Sequence, residues 1–435
     1  MNFGSMKTFQ IVILAIFGFL ALLGLVLFAN FGGFGSSSTN VGTVTIWGTL
    51  PQSSMDTILN GLRNGNQDYS GVSYVQKDES TFDADLAEAL ASGTGPDLIL
   101  ISQEEFRTEQ NKLSVVPYST ISQNTFIKDY LSIEDLFLAA DGTYGVPFAV
   151  DPLVLYYNRS ALEQAGIPNP PTTWEAVTSM TPQMTQASGG NVTKSVVPFG
   201  AYENVENARA IVSLLLLQAG NPISSVDSTG NLRAQLTTTD AANSAVTPAQ
   251  SAMNFYTQFA DPVKNVYTWN RALPSARQSF LAGTLAFYPG FASELPGIAA
   301  ANPNLDFDMA AIPQPQTASQ QLTFGKAYAF AVPKASKNAL GAEKTAFALA
   351  GPSLAQTVAH TLFMAPALRS ELTPAADDRY APVYYPQALI AKGWLSPSPA
   401  VTDGIFSTMM SNITSGRMTT GQALNTANQA INAAL

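Results

Sequence analysis

The sequence has no cysteine and only one histidine, and these two shortages exclude whole classes of chemistry. Without thiols there is no disulfide, no thiolate nucleophile and no Cys-ligated zinc or iron–sulfur centre. A lipoprotein is excluded as well, because lipid attachment at a mature N-terminus would need a cysteine. His360 lies in the helix-like stretch AQTVAHTLFMAP. With no second histidine to share a site, it reads as a structural residue rather than a metal ligand or general base. Charge is scarce at 12% and acidic in balance, with 21 Lys and Arg against 31 Asp and Glu. No cluster of Lys or Arg forms a stripe, so a nucleic-acid backbone is not the partner. No tandem repeat and no charged low-complexity tail interrupts the chain, and nothing calls for a metal or cofactor.

What is abundant is apolar. The chain has 435 residues, 46% of them hydrophobic, which is enough for more than one core. From Ile11 to Ala29 the run IVILAIFGFLALLGLVLFA is continuously apolar, close to the roughly 20 residues a membrane-spanning helix needs. Residues 1–30 are therefore read as an uncleaved N-terminal anchor, with a cleaved signal peptide as the alternative. Lys7 is the only charge before Asp56 and places the long C-terminal part outside the cytoplasm. The Gly- and Ser-rich residues 31–42 suit a flexible tether with a reach of roughly 20 Å.

Beyond the tether, short strands alternate with helices. VTIW, GVSYVQ and GPDLILIS read as strands, SSMDTILNGLRN and DADLAEALASG as helices, implying a mostly parallel sheet covered on both faces. In such sheets ligands sit beyond the carboxyl ends of the strands, here the loops after Trp47 and Ile101. The stretch GVPFAVDPLVLYYN, residues 145–158, breaks an apolar run with Asp151 and Pro152. A buried carboxylate is costly unless paired, and proline cannot donate to a ladder, so the chain is expected to change sheets there. Similar proline-marked strands fall around 305–313 and 326–334. Three crossings between two lobes follow. The first lobe is 43–150 plus about 306–332, and the second is 151–305 plus about 333–435. TTGQALNTANQAINAAL closes the chain as a packed helix.

The stretch YGVPFAVDPLVLYYNRSALEQAGIPNPPTTW resembles the signature of family 1 extracellular solute-binding proteins, the maltose-binding-like receptors of ATP-driven importers. RQSFLAGTLAFYPGF, AVPKASKNALGAEKTAFAL and SGRMTTGQALNTANQAI resemble later segments of that family, in family order. The resemblance implies a type II, periplasmic-binding-protein-like α/β fold, with solute held between two closing lobes and closure reported to membrane permease subunits. It implies a monomer, and the absence of catalysis. It also implies that Asp151 lies where hinge meets cleft, that Glu104 matches an acidic sugar-hydroxyl ligand, and that Tyr202 and Phe291 fall at aromatic sugar platforms. Pro51 and Gln52 stand where the maltose-binding branch has a charged pair, and Asp403 falls near a second platform, which argues against maltodextrin itself.

A sugar would suit the residues directly. Aromatic faces cover the C–H surface of a pyranose, while carboxylates and amides take hydroxyls. Tyr202, Tyr288 and Phe291 are candidate faces, and Gln103, Glu104 and Asp151 candidate acceptors. Trp47, Gly48, Gly290, Lys326 and Tyr328 complete the candidate set, as residues at strand ends bordering the cleft. Each has a plainer alternative: core packing for the aromatics, a solvated Lys326, and an Asp151 that merely caps backbone N–H groups. A glycan-acting enzyme using Glu104 and Asp151, or a sensory surface protein, remains the alternative to a transport receptor.

Overall fold

The computed structural model describes residues 40–189, 191–238 and 247–435. The anchor expected at Ile11–Ala29 and most of the tether lie outside these. Among the described residues no helix is long and apolar enough to cross a membrane. The tether ends earlier than expected, because Val41 is buried in the first core and donates its N–H to the Asp68 carbonyl at 3.1 Å.

The first lobe is built from short alternations of strand and helix. β1 (Val44–Gly48) buries alternate residues, and α1 (Gln52–Gly65) buries Met55, Ile58, Leu59 and Leu62, the three-and-four spacing of a helix lying on a sheet. β2 (Val72–Gln76) pairs parallel with β1. α2 (Phe82–Ser92) ends at Gly93, whose φ of 71° suits glycine at a helix C-terminus. β3 (Leu98–Ser102), buried along its whole length, is also parallel to β1 and runs without a loop into α3 (Gln103–Glu109). Ser102 and Glu105 form a capping box at that junction, so a strand can become a helix within one residue.

β4 (Val146–Asn158) is the strand that carries Asp151 and Pro152. The second lobe adds α4 (Ala208–Gln218), β5 (Phe287–Phe291) and β6 (Phe307–Ala310). The chain continues through β7 (Thr323–Ala331), α5 (Ala339–Leu349), α6 (Pro352–Leu362), β8 (Ala365–Pro366), α7 (Ala381–Leu389), α8 (Pro399–Thr414) and α9 (Thr420–Ala434). The strand order is β5-β4-β7-β3-β1-β2, with β6 and β8 also pairing with β4.

β4 is one unbroken strand that changes partners. Val146–Pro152 pair antiparallel with β7, whereas Leu153–Tyr157 pair with β5 and Leu155–Asn158 with β6. The proline with no N–H falls at the changeover, and Thr323 Oγ1 donates to the Leu153 carbonyl at 2.9 Å just beyond it. The chain does change sheets at Asp151–Pro152, but by partner exchange rather than by a break. β7 runs antiparallel to β3, so the first sheet is mixed where a mostly parallel one was expected.

The assignment of everything after about 333 to the second lobe needs correction. Ala342, Ala346 and Leu349 of α5 and Leu354, Val358 and Leu362 of α6 share a core with Met55, Ile58 and Leu59 of α1. These helices cover the first sheet, and β8 still pairs with Ala149 and Val150 on the first-lobe half of β4. The return to the second lobe comes after β8, not along 326–334. His360 is not packed in a core; its side chain is half exposed, with Nδ1 3.7 Å from Asp378.

Candidate functional site

A cavity of about 680 Å³ opens where the two lobes face one another. Its wall on the first-lobe side is the segment after β2, from Asp78 to Asp83, together with one face of α3. The opposite wall is the N-terminal turn of α4 with Asn207, Arg209 and Ala210, and the entry of α8 with Ser398, Pro399, Ala400 and Asp403. Phe291 at the end of β5 and Lys326 on β7 line it between them. Of the two strand ends expected to border the site, the one after Ile101 does so through α3, and the one after Trp47 does not line this cavity.

At the centre lies an ion-pair network that joins the lobes. Glu104, 4% exposed, receives Arg209 Nε at 2.9 Å and Arg209 Nη2 at 3.1 Å, with Lys326 Nζ 3.6 Å away. Arg209 also donates to Asp403, whose other oxygen accepts from the Tyr202 hydroxyl at 2.6 Å. Burial alone would push the Glu104 carboxyl up. The Arg209 and Lys326 charges outweigh it and hold Glu104 below its usual range. Burial likewise works against Lys326 and Arg209, and Glu104 more than compensates, keeping both cations charged.

Three of the eleven sequence candidates, Glu104, Phe291 and Lys326, line this cavity. Lys326 Nζ sits 5.0 Å from the centroid of the Phe291 ring. The other eight lie outside it, each with a visible structural task. Gln103 donates from Nε2 to the Gly325 carbonyl at 3.1 Å and accepts from the Ala327 N–H at 2.7 Å. β3 pairs with β7 only from Tyr328 onward, so the Gln103 amide stands in for a strand over the preceding residues. Asp151 accepts from the Ser293 N–H at 3.1 Å and the Ser293 hydroxyl at 2.6 Å, fixing the turn after β5. Burial raises the Asp151 carboxyl to about 7, against the lowering effect of Ser293 and Lys326. It is a cap at the seam, and it shares no cavity with Glu104.

The aromatic candidates divide in the same way. Tyr288 is fully buried, donating to Glu294 at 2.7 Å and accepting from Asn207 at 3.1 Å. Gly290 lies so close to Tyr156, Tyr288 and Glu294 that a Cβ would come within 2.7 Å of the Tyr288 ring. Tyr328 is buried in the first core, and its hydroxyl is pushed well up by burial. Tyr202 is 7% exposed and borders a separate small pocket with Asn270 and Met410, so it is no platform in the main cavity. Trp47 is half-buried with Lys77 Nζ 3.7 Å above its ring, and Gly48 leaves room for the Tyr74 hydroxyl.

Arg209 was missed by sequence reading. It is the only charged residue in the helix ARAIVSLLLLQ, and that isolation was the available signal. Among the described residues no group of acids or histidine is arranged to hold a metal ion. A second cavity of about 340 Å³, lined by amides including Asn158, Gln164 and Gln183, lies elsewhere on the second lobe and holds none of the candidates.

The profile of the family described as bacterial extracellular solute-binding protein matches residues 64–380. The chain belongs to this family. No curated protein sequence is similar enough to count as a relative. Solved structures resemble it in fold. The cyclic α-maltosyl-1,6-maltose binding protein of Arthrobacter globiformis superposes with a TM-score of 0.73 at 19% identity, covering 90% of this chain and 98% of that one. An ABC transporter solute binding protein of Thermotoga lettingae, bound with α-D-tagatose, gives 0.68 at 19% identity, over 90% and 99%. The Thermus thermophilus maltotriose binding protein, bound with maltotriose, gives 0.67 at 15%, over 90% and 100%. The family places the binding domain outside the cytoplasm, and the neighbours share its two-lobe α/β architecture.

Proposed function

We propose that this solute-binding protein is the receptor of an ATP-driven importer and that it takes a carbohydrate or oligosaccharide into the cleft between its lobes. The observation that carries this reading is the cavity itself. It combines a size within the roughly 300 to 1,000 Å³ of small-molecule sites with aromatic side chains, Phe291 and Phe82, and charged acceptors and donors at Glu104, Arg209, Lys326 and Asp403. The sugars bound by the structural neighbours above, a cyclic maltosyl-maltose, tagatose and maltotriose, support a sugar. In this reading Phe291 lies against a ring, and Lys326, Asn207 and Asp403 take hydroxyls. The partner exchange in β4 serves as one hinge strand. Residues 1–30 tether the receptor, as a monomer, beside its permease.

A thermal-shift screen against neutral sugars, polyols, amino acids and peptides tests the solute class, because a ligand of the folded state at 100 times its Kd stabilises by about 2.7 kcal/mol. A sugar should raise the melting temperature, and Phe291→Ala should abolish that rise at the same sugar concentration. Stabilisation by amino acids or peptides alone would refute the carbohydrate reading. Resistance of the full chain to carbonate extraction checks the tether.

A further inference from the structure

The amide-lined cavity of about 340 Å³ sits at the end of β4 remote from the first lobe and shares no residue with the cleft. We propose that it is a second ligand site, separate from the solute cleft, for a small hydroxylated carboxylic acid.

Asn158 supplies the observation that points to a ligand. It lines the cavity and is 4% exposed. Its Oδ1 accepts the Ala161 N–H at 3.0 Å and so caps the helix Arg159–Gln164. That bond fixes the direction of the amide, because only the oxygen can accept. Nδ2 therefore points the other way, and it donates to nothing among the described residues. The space beside it is left open by Gly283, also on the cavity wall, where an added Cβ would stand 3.6 Å from Nδ2 with no other contact beyond its chain neighbours. Ser195, 5% exposed, lines the same cavity with a hydroxyl that has no partner among the described residues. Ala286 joins the two, its carbonyl accepting the Asn158 N–H at 2.9 Å and its N–H donating to the Ser195 carbonyl at 3.0 Å. Neither free group is shut away from solvent; the sealed, partnerless side-chain atoms among the described residues belong to Arg63, Glu109, Glu134 and Thr402. Both open on the cavity, and a buried donor without an acceptor is costly until something supplies one.

The charge left over selects the class of ligand. Lys194 Nζ donates to a neutral group, Gln164 Oε1, at 3.1 Å and pairs with no carboxylate among the described residues. Asp306, the one acid lining the cavity, is already taken, by Arg159 Nε at 2.7 Å and Nη2 at 2.6 Å. The unspent groups are thus donors with one positive charge. An ionised carboxylate, which only accepts, answers them together, whereas a neutral polyol leaves the Lys194 charge unanswered. The volume exceeds that of a bare ion and falls in the roughly 300 to 1,000 Å³ of small-molecule sites. The rim amides of Gln186 and Asn304, which both donate and accept, suit hydroxyls carried on the rest of the molecule.

Calorimetric titration of the full-length protein in detergent, at low salt, with gluconate, its neutral counterpart sorbitol, and inorganic phosphate tests this. Gluconate should bind at least about tenfold more tightly than sorbitol, with the advantage shrinking as salt is added. Asn158→Asp keeps the helix cap but turns the free donor into a negative acceptor, and should weaken gluconate by about tenfold or more. Lys194→Gln should weaken it by about threefold or more, and its partly exposed position keeps the test valid if the Asn158 variant is poorly folded. Phe291→Ala, in the cleft, should leave gluconate binding unchanged. Sorbitol or phosphate binding as tightly as gluconate would overturn the inference, the first by removing the charge and the second by removing the hydroxylated acid. Gluconate binding lost in Phe291→Ala but kept in Asn158→Asp would place it in the cleft and overturn the second site while leaving the receptor reading standing. Silence from all three probes would also overturn it.

Discussion

Two buried carboxylates, Asp151 at the seam between the sheets and Glu104 in the cleft, stand at nearly equal burial and behave in opposite ways. Asp151 is answered by neutral donors, the N–H and hydroxyl of Ser293, and burial lifts it to about 7. Glu104 is answered by Arg209 and Lys326 and is held low. Burial alone therefore does not decide the charge of an acid; the formal charge of its partners does. The seam keeps its acid close to neutral and rigid, whereas the cleft keeps charges that a solute can engage.

Removing the cationic partner should break this contrast most severely. Arg209→Ala leaves Glu104 buried without its main counter-charge and should cost about 3 to 5 kcal/mol in denaturant melts. Adding Glu104→Gln should recover much of that loss, since the uncompensated charge is then gone. A double variant no more stable than Arg209→Ala would show that Arg209 acts through packing instead.

The seam should respond to pH. Asp151 has a folded value raised from 3.8 to about 7, so its neutral form is the one the fold favours. Its stabilising contribution is full below pH about 4 and is lost as pH rises through about 7, by at most about 4 kcal/mol. Asp151→Asn should remove that part of the slope, making the variant gain on the wild type between pH 4 and 8 in parallel melts. Identical slopes for the two proteins would mean that Asp151 is ionised throughout.

How much of this was legible beforehand follows from the same physics. Alternation and three-and-four spacing placed the elements of the first lobe and the final helix, and a proline beside a charge marked the partner exchange in β4. The boundary near 333 failed because the apolar stripes of α5 and α6 state that these helices cover a sheet, not which sheet. Of the candidates, Glu104, Phe291 and Lys326 fall in the cleft. Gln103, Asp151 and Tyr288 do not, because a polar residue after an apolar run looks the same whether it faces a solute or a neighbouring backbone. Arg209 was overlooked although a lone charge in an apolar helix needs a buried partner.

The smallest expected effect sharpens the border of the cleft. Tyr202→Phe removes one hydrogen bond to Asp403 and should cost about 1 kcal/mol of stability, with solute affinity unchanged. A clear loss of affinity in titration would bring Tyr202 back as a ligand contact.

The claim that solute occupies the cleft can be tested without knowing its pose, because the chain contains no cysteine. A single thiol at Ala400→Cys, exposed on the cleft wall, can be compared with Ser160→Cys in the amide-lined cavity of the second lobe. The measurement is the alkylation rate of each thiol with and without a saturating sugar identified by the thermal-shift screen. The account predicts that the sugar slows reaction at position 400 by about tenfold or more and leaves position 160 unchanged. Protection at 160 with none at 400 would contradict it.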